Sequence, residues 1–336
     1  MERYARQAVF SHIGKKGQEK LLKSKVTIIG MGALGTVAAN NLCRAGVGHI
    51  RMADRDYVEL TNLQRQILYN EDDVKQRLPK VIAASKNLSK VNPEIILEPV
   101  IADVNSSNIE GLVSDVDLVL DATDNFEIRL LINEACCKHK IPWIYCGALG
   151  GEGITMNILP ERNNPCLRCI LDGADSLETL SCSMFGVLNM LTGTMASIQT
   201  AEAIKILLNS SSVRKAIFTL DLWENRFYTL EIEKNDDCPV CVHGKHEYLG
   251  KVSGSYTTDL CGSNSIQVTP SKAANVDFHA MAERLKRIGS VNYSNYSLIF
   301  SDDKYEIMVF QDGRAIIKNA IDGNNAKSIY TEYIGL

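Results

Sequence analysis

The chain lacks most of what marks a membrane-bound, exported or nucleic-acid-bound protein. No uninterrupted apolar run in its 336 residues approaches the roughly 18 that a spanning helix needs, so no membrane partner is expected. The opening stretch, Met1 to Ser24, carries Arg3, Arg6, Lys15, Lys16, Glu19, Lys20 and Lys23, too much charge for a secretory signal, which makes the cytoplasm the expected location. An excess of basic residues is missing too. Lys and Arg number 36 against 40 Asp and Glu, and a net charge of -4 gives no support for a nucleic-acid partner. Proline and glycine are not enriched, which excludes a fibrous or long low-complexity chain. Cysteine, by contrast, is plentiful at ten residues, and without an export signal these point to metal or thiol chemistry rather than disulfides. A hydrophobic content of 45% at this length is enough for one large α/β domain and a smaller second one.

The strongest local signal is Val26-Thr27-Ile28-Ile29-Gly30-Met31-Gly32-Ala33-Leu34-Gly35. An apolar, β-branched run enters Gly-x-Gly-x-x-Gly, and a helical pattern through Ala38, Leu42 and Ala45 follows, so the stretch reads as strand, tight turn, helix. Gly30 permits the turn, Gly32 lets backbone approach a ligand, Gly35 lets the helix pack on the strand, and the helix N-terminus offers free N-H groups to an anion. A second strand, His49 to Ala53, closes on Asp54, about 20 residues past the last glycine, where a carboxylate takes ribose hydroxyls.

The segment after Asp54 departs from an ordinary dinucleotide site. It supplies Asn62, Arg65 and Lys80, an amide and two cations, which suit a ligand bearing several phosphate charges; on a surface loop the same residues would be merely solvated. Buried strands at Ile95 to Val100 and Asp117 to Leu120 continue a βαβαβ alternation and a parallel sheet. The fourth strand ends in Asp121-Ala122-Thr123-Asp124-Asn125, beyond the carboxyl end of the sheet, where Asp121 and Asp124 would meet the ligand of Gly32. A carboxylate beside phosphates calls for a bridging magnesium; alternatively Asp124 caps the helix running from Phe126 to Lys140.

Two more strands, Pro142 to Ala148 and Ile154 to Leu159, precede Cys166-Leu167-Arg168-Cys169, and Cys238-Pro239-Val240-Cys241 comes much later. Two Cys-x-x-Cys pairs fit a tetrahedral four-thiolate zinc site that staples distant segments. Between them Cys182 precedes a long apolar helix from Val187 to Leu208, and reads either as a small buried residue or as an activated thiol near a helix N-terminus. A hairpin around Trp223-Glu224-Asn225 adds antiparallel strands. The expected architecture is therefore α/β: a Rossmann-like nucleotide-binding domain with a mixed sheet, parallel in its core and antiparallel in its extension, over 1–245. A linker over 246–264 and a small α+β domain over 265–336 follow, with Gln311-Asp312-Gly313 as a hairpin turn.

Taken in order, Arg3-Tyr4-Ala5-Arg6-Gln7, the glycine turn, Asp54-Arg55-Asp56, Thr61-Asn62-Leu63-Gln64-Arg65-Gln66, Pro79-Lys80, Asp121 to Asn125, both cysteine pairs and Ala201-Glu202-Ala203-Ile204-Lys205 resemble the ThiF/MoeB/HesA family, prokaryotic relatives of ubiquitin-activating enzymes. The resemblance runs from about Arg3 to Cys241. It implies an adenylyltransferase that uses magnesium ATP to adenylate the C-terminal glycine of a ubiquitin-like sulfur carrier, releasing pyrophosphate. It also implies that Gly32 approaches the phosphates, Asp54 takes the ribose, Asn62, Arg65 and Lys80 hold the triphosphate, and Asp124 takes magnesium. Arg6 matches an arginine that reaches into the partner subunit's site, so a homodimer is implied, and Cys182 matches the cysteine that links covalently to the activated carrier in ThiF-type members. A ThiS-like carrier in thiamine thiazole synthesis is the leading expectation, with a MoaD-like carrier for molybdopterin, or one serving tRNA thiolation or conjugation, as the alternative. No rhodanese-like segment follows the matched region, so a separate sulfur donor such as a cysteine desulfurase is expected. A nicotinamide-dependent oxidoreductase is the reading from another class, and Arg65 and Lys80 speak against it.

Overall fold

The computed structural model describes residues 2–162, 164–171, 186–251, 256–260, 265–270 and 274–335. The chain divides into two compact units, Met1–Lys251 and Val252–Leu336.

The first unit opens with two short helices, α1 (Ala5–Val9) and α2 (Gly14–Leu21). Buried polar groups pin them: Gln18 and Gln7 both donate to the Ala45 carbonyl, and the Tyr4 hydroxyl accepts from Asn92 Nδ2 at 2.8 Å. The sheet core follows as β1 (Lys25–Ile29), α3 (Ala33–Ala45), β2 (His49–Asp54), α4 (Glu71–Lys75), α5 (Lys80–Val91), β3 (Ile96–Ile101), α6 (Ile109–Val113), β4 (Leu118–Asp121), α7 (Phe126–His139) and β5 (Trp143–Leu149). Then come β6 (Glu152–Ile158), α8 (Leu167–Ile170), the long α9 (Asn189–Leu207), β7 (Ile217–Asp221) and β8 (Arg226–Leu230).

These strands form one eight-stranded sheet in the order β3-β2-β1-β4-β5-β6-β7-β8. Pairings from β3 to β5 are parallel, and those from β5 to β8 are antiparallel, which is the mixed sheet expected from the sequence. Alternation along β1 sends Val26 and Ile28 to one face, under α3, α5 and α9, and Ile29 to the other, under α6 and α7. Each fully buried aliphatic of these two clusters contributes roughly 1.5–3 kcal/mol relative to its exposed state. Because β1 is followed by β2 on one side and flanked by β4 on the other, the strand order reverses between β1 and β4, where doubly wound sheets open a ligand crevice at their carboxyl ends.

The second unit is a six-stranded antiparallel sheet in the order β11-β12-β13-β14-β10-β9, made of β9 (Tyr256–Leu260), β10 (Ser265–Thr269), β11 (Ser290–Tyr293), β12 (Ser297–Ser301), β13 (Glu306–Phe310) and β14 (Ala315–Lys318). Its helices, α10 (Phe278–Leu285) and α11 (Gly323–Tyr333), are N-capped by Asp277 and Asp322 and contribute Met281, Leu285, Ile329 and Tyr330 to its core. The turn at Gln311 to Gly313 joins β13 to β14, with Phe310 N donating to Arg314 O at 2.8 Å.

Within the span 246–264 the first residues are bonded to α7, and β9 pairs with β10 along five registered residues. The mostly polar sequence of β9 has no apolar alternation to mark it as a strand, and β11 escapes sequence reading because most of its residues are exposed.

Candidate active site

The glycine turn stands at the carboxyl end of β1, against β4. Gly30 has φ of 92°, and a Cβ on it would come within 2.6 Å of the Ala122 carbonyl oxygen. At Gly35 a Cβ would meet the Gly30 carbonyl oxygen at 2.0 Å, so the first turn of α3 lies directly on the strand end only because the side chain is missing. Gly32 is different. A Cβ there would find only Gln66 Nε2, at 3.9 Å, so the space beside it belongs to no protein atom and suits a ligand against the N-terminus of α3.

Asp54 closes the turn from below. Its carboxylate accepts from Met31 N at 2.6 Å and Asp56 N at 2.8 Å, which leaves about two of its four lone-pair sites for ribose hydroxyls. Burial raises its pKa, and the Lys80 ammonium works against that. The segment after it folds back over the glycines: the Tyr69 hydroxyl donates to Met31 O at 2.8 Å, a contact that sequence reasoning missed.

Lys80 is the first residue of α5, where a cation opposes the helix dipole, so its place is not explained by helix stability. Its backbone N-H donates to Asp56 O and its Nζ to Asp56 Oδ2, both at 2.9 Å. Burial disfavours its charge, but Asp56, Asp54 and Asp124 together hold its pKa above that of an ordinary lysine. One carboxylate is bonded to this buried ammonium, and the charges of the other two favour its ionised form. Asn62 is buried and its Oδ1 accepts from Glu59 N at 3.0 Å, so it builds the loop; Arg65, half-buried, donates from Nη1 to Thr61 O at 3.0 Å.

The β4 exit separates two acids that the sequence pairs. Asp121 faces inward, fully buried, with Oδ1 accepting from Thr123 N and Oγ1 and Oδ2 from Arg129 Nε at 3.1 Å, so its carboxylate is held by the protein itself. Asp124 is exposed. The cap of α7 is Asn125, whose Oδ1 accepts from Ile128 N, which leaves the Asp124 carboxylate available for a cation. Arg129, unread in the sequence, shapes this loop: Nη2 donates to Thr123 O at 2.6 Å, and the guanidinium lies 5.1 Å from the centre of the Tyr145 ring. Gln199 Nε2 holds the Asp121 and Ile144 carbonyls from the other face. Nothing in the spacing of Asp121 and Arg129 announces the pair, because one lies on a strand and the other in the helix after it. Arg129→Met strands a buried carboxylate, and is expected to cost on the order of 3 kcal/mol in urea unfolding, with Asp121→Asn in the same chain restoring part of it.

Arg6 lies on α1, exposed, with no partner among the described residues, and the structure does not bring it to the other candidates within one chain. Cys182 lies outside the described residues. The two cysteine pairs do converge. Cys166 and Cys238 sulfurs are 3.7 Å apart, Cys166 and Cys169 3.9 Å, Cys169 and Cys241 3.5 Å, and all four lie within 4.8 Å of one another. These separations are far beyond a disulfide bond of about 2.05 Å. Four thiolates about 2.3 Å from a tetrahedral centre would stand about 3.8 Å apart, so the donor set fits one metal ion.

A model of the ThiF family matches residues 4–240 of the chain. The chain belongs to the ThiF family. Similar proteins include the sulfur carrier protein ThiS adenylyltransferase of Bacillus subtilis, 38% identical over 336 residues that cover 99% of each chain. The molybdopterin-synthase adenylyltransferase of Escherichia coli is 36% identical over 242 residues, 72% of this chain and 96% of that one. Among solved structures, Escherichia coli MccB with ATP aligns at a TM-score of 0.62 and 23% identity over 71% of this chain and 74% of that one, a likeness of fold. The ThiF match ends just before Cys241, within the first unit, whereas the Bacillus relative also spans the second.

Proposed function

We propose that this chain is an adenylyltransferase that uses magnesium ATP to activate the C-terminal glycine of a ubiquitin-like sulfur carrier, releasing pyrophosphate. The observation that carries the reading is Lys80, buried and bonded to Asp56 in the segment that Asp54 ties to Met31 of the glycine turn, whose Gly32 borders open space. A hydride-transfer site has no use for a buried ammonium bonded to an acid, whereas attack of a carboxylate on an α-phosphate brings anions together and is promoted by placing positive charge where they meet. The carboxylates acting on Lys80 exceed its single charge, so a triphosphate there calls for magnesium, which Asp124 is free to hold and which would offset charge developing on the phosphates. Gly32 and the α3 N-terminus cradle the phosphates, Asp54 takes the ribose, and Asn62 and Arg65 complete the wall. No general base is needed, because the carrier's carboxylate is already ionised.

Exposed Arg6, beside exposed Val9 and Phe10, suits delivery into the site of a second subunit, so the functional unit is a homodimer with two composite sites. The four cysteines hold a structural zinc, all four positions being protein ligands with none left open. Of the carriers, a ThiS-like protein is favoured over a MoaD-like one, because the Bacillus subtilis relative named for ThiS shares the second unit as well as the first, although the Escherichia coli one named for ThiS matches the first alone. The second unit docks the carrier or the next enzyme, Cys182 accepts the activated carrier covalently, and a separate cysteine desulfurase supplies sulfur in the cytoplasm.

Exchange of labelled pyrophosphate into ATP, measured with purified ThiS-like and MoaD-like carriers, tests the reading. Exchange is expected only when a carrier with a free C-terminal glycine is present, and fastest with the ThiS-like one. Tight NAD binding without ATP turnover on any carrier would overturn it. Cys182→Ala is expected to leave exchange unchanged and abolish sulfur transfer.

A further inference from the structure

The two cysteine pairs are far apart in sequence, and two consecutive residues of α7 reach toward them: Asn133 bonds the first pair, and Glu134 bonds the chain that leaves the second, beginning six residues past Cys241. On one side the fully buried Asn133 bonds the first pair twice: Nδ2 donates to Cys166 Sγ at 3.6 Å, and Oδ1 accepts from Leu167 N at 2.9 Å. On the other, Glu134 accepts three backbone N-H groups just after the second pair, from Glu247 at 3.0 Å to Oε1 and from Tyr248 and Leu249 at 2.8 and 2.9 Å to Oε2. Glu134 is 2% exposed, and Tyr248 and Leu249 pack against the same apolar cluster that contains Cys166 and Cys238. The strap is tied further along, where Ser106 Oγ donates to Lys251 O at 2.6 Å and Lys251 Nζ to Glu127 Oε1 at 2.6 Å.

Nothing in α7 itself requires a buried carboxylate and a buried amide side by side. Burying either group costs free energy unless its polar atoms are bonded, and here the partners are the first cysteine pair and the strap that follows the second. A side-chain N-H aimed at a ligand sulfur also withdraws charge from the thiolate and fixes its direction, the usual work of a group that contacts a metal ligand rather than the metal.

We propose that Asn133 and Glu134 form a clamp that holds the two cysteine pairs in register and sets how tightly the cluster keeps its zinc. This rests on the zinc reading made above. Both are positioning residues: Asn133 acts through the segment that carries Cys166 and Cys169, and Glu134 through the strap that continues from Cys241. Asn133 also acts on one sulfur directly, so its removal changes the metal's electronic surroundings and not only the stability of the fold.

Purified full-length protein, zinc-loaded, is challenged with a colorimetric chelator, and the release rate is compared among wild type, Asn133→Leu, Asn133→Asp and Glu134→Gln. Release is expected to be about 10- to 100-fold faster for Asn133→Leu, the range seen when a group bonded to a metal ligand is lost, and less accelerated for Glu134→Gln, which keeps one acceptor oxygen. Asn133→Asp retains the acceptor for Leu167 N-H but loses the donor to sulfur. In cobalt-loaded protein it is expected to shift the sulfur-to-cobalt charge-transfer band, which a purely structural role would leave in place; this reading stands even if the leucine variant does not fold. Release rates and spectra indistinguishable from wild type would overturn the clamp while leaving the zinc site intact. A wild-type chain that retains no zinc would overturn the metal reading itself, a different and recognisable failure.

Discussion

Replacing Lys80 with methionine is expected to lower carrier-dependent pyrophosphate exchange by about 100- to 1000-fold, the scale of losing one preorganised donor to developing charge. The loss should appear mainly in kcat, because the ammonium meets charge that grows as the carrier's carboxylate approaches the α-phosphate. Stability should fall as well. Methionine matches the volume but leaves Asp54, whose burial already disfavours its charge, without the cation that opposes this effect. Its immediate partner Asp56 is 39% exposed, so water screens much of the penalty and a cost of about 1–2 kcal/mol is expected in urea unfolding. Arginine should not restore activity, since a planar fork cannot occupy the place of a compact ammonium bonded at 2.9 Å within a site that leaves the lysine side chain 8% exposed. Exchange within threefold of wild type in Lys80→Met would remove the central element of the proposed chemistry.

Gly35→Ala and Gly32→Ala are expected to fail in opposite ways. A methyl on Gly35 would stand 2.0 Å from the backbone oxygen of Gly30, so the start of α3 must lift from the end of β1. Overpacking against backbone, with no flexible side chain to yield, is expected to destabilise by on the order of 3 kcal/mol and to weaken nucleotide binding with it. A methyl on Gly32 meets only Gln66 at 3.9 Å and costs the fold little, yet it enters the open space proposed for the phosphates. Thermal melting should therefore separate the two variants, Gly35→Ala melting early and Gly32→Ala near wild type, while ATP titration finds both impaired. Wild-type ATP affinity in a stable Gly32→Ala chain would show that the phosphates lie elsewhere.

Between these two glycines lies the distinction between local and tertiary information. That Gly-x-Gly-x-x-Gly ends a buried strand and starts a helix is visible in the run of apolar residues before it and the helical period after it, because both signals arise within one element. Which glycine serves the fold and which the ligand is decided by atoms brought from β4 and from the loop at Gln66. Lys80 follows the same rule. Its type and its place at a helix start are plain in Pro79-Lys80, but its burial among acids depends on Asp56 returning to pair with it.

By itself the sequence determined most of the order of strands and helices, the mixed sheet, the glycine turn, the two cysteine pairs and, through the ordered set of motifs, the family. All of these rest on residue type and short-range spacing, which act before any long-range contact forms. Only the tertiary structure decided that Asp121 turns inward to Arg129 while Asp124 stays free, that Asn125 rather than Asp124 caps α7, that β9 joins the second sheet, and that Asn133 and Glu134 gather both cysteine pairs. The physical reason is plainest at Glu134. A buried polar group must find a partner wherever the chain brings one, and for Glu134 that partner lies more than a hundred residues away, beyond the reach of any local pattern.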